Sequence, residues 1–219
     1  MITQIVVGIS GPAGAGKDVS ADFLINSLTE KGIPAIKYSF AYPLKEVSKF
    51  LFNLTDEDVN TDEGKKQIAA NGYGKTVREI LQLVGTESFR DVFSETMWID
   101  FAERFIQNSG VEVVVVPDVR FENEAAFIKE NGILIKVDPT GREGFSEIVE
   151  KSHASEAGFS IPADYEVQNS GSLEELYGNL EHPLSSIVDS WNTLSQMSSS
   201  RMKVLQEELI KAKKELFSL

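Results

Sequence analysis

Cysteine is absent from all 219 residues. Disulfides, thiolate zinc sites and cysteine nucleophiles are therefore excluded. No apolar run approaches the ~20 residues of a membrane-spanning helix, so no membrane partner is expected. The opening Met1-Ile2-Thr3-Gln4 has neither a basic segment nor a cleavage-site pattern. A secretory signal is not expected, and the cytoplasm is the default compartment. Positive charge is also scarce. Lys and Arg total 21 against 34 Asp and Glu, giving a net charge of −13. Such a chain repels nucleic acid and anionic membranes unless it focuses cations locally, so no nucleic-acid partner is expected. Arginine occurs only at positions 78, 90, 104, 120, 142 and 201. A phosphate-binding function would require several of these to converge on one cleft.

What is present is an ordinary globular composition, 42% apolar and 25% charged. Residues 4–10 form a β-branched run, read as a buried strand. Gly and Ala dominate 11–16, and 17–31 has helical spacing, with Val19, Phe23, Leu24 and Leu28 on the apolar face. Residues 33–40 are a second strand candidate, and Pro43 suits the first turn of a helix reaching Phe52. A polar stretch, 53–74, precedes helices over 76–90 and 97–108. Val113-Val114-Val115-Val116 reads as a strand buried on both faces. A helix over 120–130, strands over 133–137 and 165–168, and a helix over 172–180 complete the alternation. Strand and helix alternating in this way predict parallel βαβ units. His182-Pro183 marks a change of region, followed by helical stretches over 184–197 and 200–217. Met202, Leu205, Leu209, Ala212 and Leu216 alternate three and four apart, a seam of barely two heptads.

Gly11-Pro12-Ala13-Gly14-Ala15-Gly16-Lys17 fits G-x-x-x-x-G-K between a strand and a helix. Backbone N–H groups and the helix's positive end cradle a phosphate there, and Lys17 reaches the β- and γ-phosphates. Gly11, Ala13, Gly14, Ala15, Gly16, Lys17 and Asp18 are thus the candidate ATP-binding set. Asp18 stands where Ser or Thr is usual. It either holds Mg²⁺, with help from Ser20, or sits in a helix first turn that favours negative charge. Asp118 ends the valine strand, where P-loop proteins place a carboxylate for Mg²⁺. Arg120, two residues on, either grips an acceptor phosphate or pairs with Glu124. Arg78, Gln82, Gly85 and Phe89 fall on one stripe of a helix. They can hold a phosphate, a base edge and a base face, or simply form an exposed face with one buried aromatic.

These pieces resemble the phage-type deoxynucleoside monophosphate kinases. The matching segments are Ser10-Gly11 through Asp18, Phe40 to Lys45, Arg78 to Glu87, Asp118 to Glu124 and His153-Ala154-Ser155-Glu156. The resemblance implies a P-loop kinase fold: three-layer α/β/α with a parallel central sheet, an inserted helical acceptor-binding region, a lid loop and, here, a helical C-terminal extension. The expected layout is a kinase domain over 1–181, with the insertion over about 41–108 and the lid over about 138–158, then the extension over 182–219. It also implies ATP and Mg²⁺, a deoxynucleoside monophosphate (dNMP) acceptor, host cytoplasm for a phage-encoded chain, and a possible homodimer through the C-terminal helices. Lys17, Arg120, Asp118 and a lid residue, Arg142, are the expected catalytic set. Lys45, Arg78, Gln82, Phe89, Arg90 and Arg120 are the expected dNMP ligands, and Asp18 and Asp118 the metal ligands. Two other readings stay open: a P-loop kinase of another acceptor, such as dephospho-coenzyme A or phosphomevalonate, and a nucleotide-dependent switch or assembly protein. No guanine-reading N-K-x-D sequence is evident.

Overall fold

The computed structural model describes residues 3–141 and 162–216. Five parallel strands form the sheet in the order β2-β3-β1-β4-β5. They are β1 (Ile5–Ser10), β2 (Ala35–Lys37), β3 (Val113–Val116), β4 (Gly132–Asp138) and β5 (Tyr165–Gln168). β1 is central, flanked by β3 in the register Val6 to Val114 and by β4 in the register Val6 to Gly132. Both faces of the central strands are covered, which is why their sequences are continuously apolar. Ile5, Val7, Ile9, Val113 and Val115 point to one core cluster, and Val6, Val114 and Val116 to the other. The two-residue period of a strand makes that division.

The first face is covered by α1 (Lys17–Glu30), through Ala21, Leu24 and Leu28, and by the final helix α8 (Leu173–Leu216), through Leu176, Leu180, Leu184 and Ile187. The second is covered by α6 (Met97–Asn108) and α7 (Glu122–Asn131), through Ala102, Ile106, Ala125 and Ile128. Between β2 and α6 lie α2 (Tyr42–Phe52), α3 (Asp56–Asn60), α4 (Asp62–Lys66), α5 (Val77–Gln82) and a π-helical segment, Leu83–Arg90. They share a third core of their own, with Val59, Val77, Ile80 and Val84 packed against Leu44, Val47 and Phe52.

Four expectations need correction. β2 covers three residues rather than 33–40, because Ser39 to Ala41 turn away to meet Asp118. Val19 is exposed, and Ser20 and Ala21 face the core in its place. The helix over 76–90 is α-helical only to Gln82 and then widens into i→i+5 bonding, as in Asp91 N–H to the Thr86 carbonyl. Lastly, one helix runs through Pro183 where a change of region was expected. Proline in a helix interior costs ~3 kcal/mol or more. Burial of Leu180, Leu184 and Ile187 on both sides of it offsets that cost.

Candidate phosphate-transfer site

The glycine loop joins the end of β1 to α1, at the carboxyl edge of the sheet where ligands of open α/β folds bind. Its conformation demands glycine. Gly11 has φ 140°, and a Cβ there would lie 2.4 Å from the Val137 carbonyl oxygen. Gly16 has φ 97°, and its Cβ would meet the Asn169 amide at 2.5 Å. The Lys17 ammonium donates to the Gly11 and Pro12 carbonyls at 2.8 and 2.7 Å. These bonds hold it over the loop, at the start of α1. Ser20 does not join the site. It is fully buried and its hydroxyl donates to the Gly16 carbonyl at 3.0 Å.

Asp118 sits just past β3 and accepts from three donors. Its Oδ2 takes the Ser39 hydroxyl at 2.6 Å and the Ala41 N–H at 3.0 Å, and its Oδ1 takes the Phe40 N–H at 3.0 Å. It therefore fastens the start of α2 to the end of β3. A carboxylate offers about four acceptor sites, so Oδ1 keeps capacity for one more contact. The Asp18 side chain is 80% exposed and lies 3.7 Å from the Lys37 ammonium, which also pairs with Asp22 at 2.6 Å. A neighbouring cation thus offsets the charge that the sequence places beside a phosphate loop.

Four cations, on three different helices and the turn after β3, act on one another electrostatically. Lys45 on α2 donates to the Asn60 side chain at 3.0 Å. Arg78 on α5 lies 3.6 Å from Asp62 at the start of α4. Burial lowers the Lys45 pKa from 10.5, and Arg120 lowers it further, while Asp118 and Asp18 act in the opposite direction. Lys65 on α4 is likewise lowered, first by burial and then by Lys45, with Arg78 and Arg120 adding to the effect against Asp62. The charges of Lys45, Arg78 and Arg120 thus act on Lys65, and those of Asp118, Asp18 and Arg120 act on Lys45.

The sequence profile described as deoxynucleotide monophosphate kinase matches residues 55–180. A relative bearing that family's name, from Acanthamoeba polyphaga mimivirus, is 34% identical over 81% of this chain and 94% of its own length. The chain belongs to the deoxynucleotide monophosphate kinase family. This kinase is also 25% identical to the deoxynucleoside-5'-monophosphate kinase of Escherichia phage T5, over 74% of this chain and 87% of that one. Among solved structures, the Mycobacterium tuberculosis APS kinase aligns over 83% of this chain and 98% of its own at 15% identity, with a TM-score of 0.43. Family membership makes the chain a phosphotransferase acting on nucleotides, and the competing switch reading falls away.

The kinase places its remaining expected residues unequally. Arg90 is 8% exposed, and its guanidinium pairs with Glu124 at 2.5 Å and covers the Phe121 ring at 3.7 Å. It is committed to the interior, contrary to the expected dNMP-ligand role. Burial pushes the Glu124 carboxyl up, against the pull of the Arg120 N–H and of Arg90. Arg120 meets Glu124 only through its backbone N–H, at 2.9 Å, and its side chain stays exposed. Phe89 packs on Trp98 and Phe93, with ring centroids 5.6 and 5.7 Å away, and Gly85 is buried against Leu44. The widened π turn is what separates them from Arg78 and Gln82, which stay at the partly exposed α5 face. Arg142 and His153-Ala154-Ser155-Glu156 lie outside the described residues.

Two residues the sequence reading missed also belong here. Lys65 looks like one more charge in the polar stretch 53–74, and Lys45 acts on its ammonium electrostatically once α3 and α4 have folded. Asn169, just past β5, is buried and donates its side-chain amide to the Ala15 carbonyl at 2.7 Å, tying the sheet edge to the loop. The phosphate loop's spelling says nothing of a partner 154 residues away.

Proposed function

We propose that this kinase transfers the γ-phosphoryl group of ATP to the 5′-phosphate of a dNMP, giving dNDP and ADP. The observation that carries the reading is membership of the deoxynucleotide monophosphate kinase family, and the glycine loop with Lys17 held over its carbonyls supports it. Gly11, Ala13, Gly14, Ala15, Gly16 and Lys17 hold the ATP phosphates. Arg120, Arg78 and Lys45 hold the acceptor phosphate, with Gln82 reading the base. Phe89 supports that face from within its aromatic cluster.

The nucleophile is an oxygen of the acceptor's own phosphate. With a second pKa of about 6, it is already anionic near neutral pH, so no general base is needed. The chain's task is to align two anions and neutralise the charge between them. Lys17 leaves its loop carbonyls for the β- and γ-phosphates. Arg120 sits between donor and acceptor, and Arg142, outside the described residues, is taken as a further cation of the catalytic set. Mg²⁺ fits the donor set, since it takes one or two carboxylates together with phosphates and water. The exposed Asp18 and the remaining acceptor site of Asp118 would hold it. When bound, the ion neutralises phosphate charge as the phosphoryl group transfers. No helix among the described residues is long and apolar enough to cross a membrane, and we place the reaction in the host cytoplasm, where both nucleotides are found.

The test is an ADP-release assay across dAMP, dCMP, dGMP, dTMP, dephospho-coenzyme A and phosphomevalonate. At least one dNMP should stimulate ADP release well above the other two acceptors, and Lys17→Ala should lose that turnover by orders of magnitude. Stimulation by dephospho-coenzyme A or phosphomevalonate alone would overturn the acceptor assignment.

A further inference from the structure

We propose that Lys65, on α4, is a ligand of the acceptor phosphate and completes a four-cation cradle with Lys45, Arg78 and Arg120. The proposal rests on the dNMP kinase reading above and adds a residue to that site. α3 and α4 are short, and their junction at Thr61 is fixed on both sides by cleft cations. Lys45 reaches Asn60 just before it, and Arg78 approaches Asp62 just after it. Thr61 caps α4 by accepting the Gly64 N–H at 2.9 Å. Gly64 is buried, and a Cβ there would lie 2.4 Å from the Glu57 carbonyl oxygen, so α4 can rest directly against α3 only with glycine at this position. Those contacts determine where the next residue, Lys65, leaves the backbone: three residues on from the acid that Arg78 approaches, a spacing at which helical side chains are neighbours.

The charge balance points to an anion. Lys65 is half-buried, whereas Lys66 beside it is exposed. Of the groups acting on the Lys65 ammonium, Lys45, Arg78 and Arg120 repel it and Asp62 attracts it. A lysine stem is flexible enough to carry its charge out to water, yet this one stays half-buried, one helical turn from the Asp62 that Arg78 approaches. A dianionic phosphate arriving between the four relieves the repulsion at once. A nucleoside that lacks the phosphate does not.

The full-length chain and its Lys65→Gln, Lys65→Arg and Lys66→Gln variants test this, using whichever of dAMP, dCMP, dGMP and dTMP is the best acceptor. Lys65→Gln should raise KM for that dNMP at least tenfold with KM for ATP within twofold. Lys65→Arg should recover most of the loss, and Lys66→Gln should stay within twofold of the parent. In calorimetry, Lys65→Gln should weaken the dNMP while leaving the matching deoxynucleoside unchanged. An unaltered dNMP KM in Lys65→Gln overturns the assignment of Lys65 while the kinase reading stands. Equal weakening of dNMP, deoxynucleoside and ATP also overturns it, by showing a structural role, and a variant that fails to fold counts the same way unless Lys65→Arg folds and keeps its dNMP affinity. If the parent phosphorylates none of the four dNMPs, the underlying reading fails and the cradle with it.

Discussion

Arg90 and Arg120 start as similar arginines on an acidic chain, and the fold gives them opposite surroundings. Arg90 is enclosed with Glu124 and Phe121, while the Arg120 side chain remains exposed at the sheet's carboxyl edge. Removing one member of a buried ion pair leaves an uncompensated charge and typically costs about 3–5 kcal/mol. Arg90→Ala should therefore lower unfolding stability by about that amount in urea titration. A stable Arg90→Ala protein with a greatly raised dNMP KM would return Arg90 to the substrate site. Glu124 is the reason the sequence misleads here. Its Oε2 accepts the N–H groups of Arg120 and Phe121, closing the first turn of α7, and its Oε1 takes Arg90. The pairing that the sequence allowed between Arg120 and Glu124 exists only through the backbone.

At the scale of elements, the phosphate loop depends on a strand far from it in sequence. Asn169 follows β5, its own N–H donates to the Asp138 carbonyl at 2.7 Å, and its side chain secures the Ala15 carbonyl. Cutting back to Asn169→Ala leaves that carbonyl buried without its donor, a loss of about 1–3 kcal/mol. The expected result is a KM for ATP raised several-fold with dNMP KM little changed, measured by varying each substrate at saturating levels of the other. The insertion shows a different dependence. α2 through the π-helical segment build a core from residues of the insertion itself, and two capping boxes, Thr55 with Asp58 and Thr76 with Glu79, start α3 and α5. Those caps are legible as T-x-x-D and T-x-x-E. The change from α to π bonding after Gln82 is not, because local spacing reads the same in both.

For the whole molecule, the two lysines with lowered pKa values give an anionic chain a pH signature. Lys45 and Lys65 both hold their protons less tightly than an ordinary lysine at 10.5. Their charge is complete near neutrality and is lost as pH rises, at a pH below that value. Ionisation of the acceptor phosphate near ~6 works in the other direction. The dNMP KM should thus fall from pH 5 to about 7 and rise again on the alkaline side before 10.5. A flat alkaline limb would remove both lysines from dNMP binding. The long helix α8 gives a second test. Leu184 and Ile187 are in the same core as β1, so truncation after Glu181 should yield an unstable or insoluble chain. Truncation after Met197 should keep the core and kinase turnover. We propose that the segment beyond it pairs two copies, in which case sedimentation should show a dimer for the full chain and a monomer for the shortened one.

Local chemistry was enough to read several things directly from the sequence. Glycines and a lysine in G-x-x-x-x-G-K spell a phosphate loop, because backbone geometry and charge act over a few residues. Four valines and a β-branched run spell central strands, because burial on both faces leaves no room for polar side chains. Other features were decided only by tertiary structure. Pro183 lies within a helix because the core on either side outweighs its local cost. Arg90 is interior because Glu124, 34 residues away, meets it there. Helix α4 rests directly on α3 because Gly64 puts no Cβ between them. Each outcome rests on a contact between segments distant in sequence or on a packing distance that residue spacing does not encode.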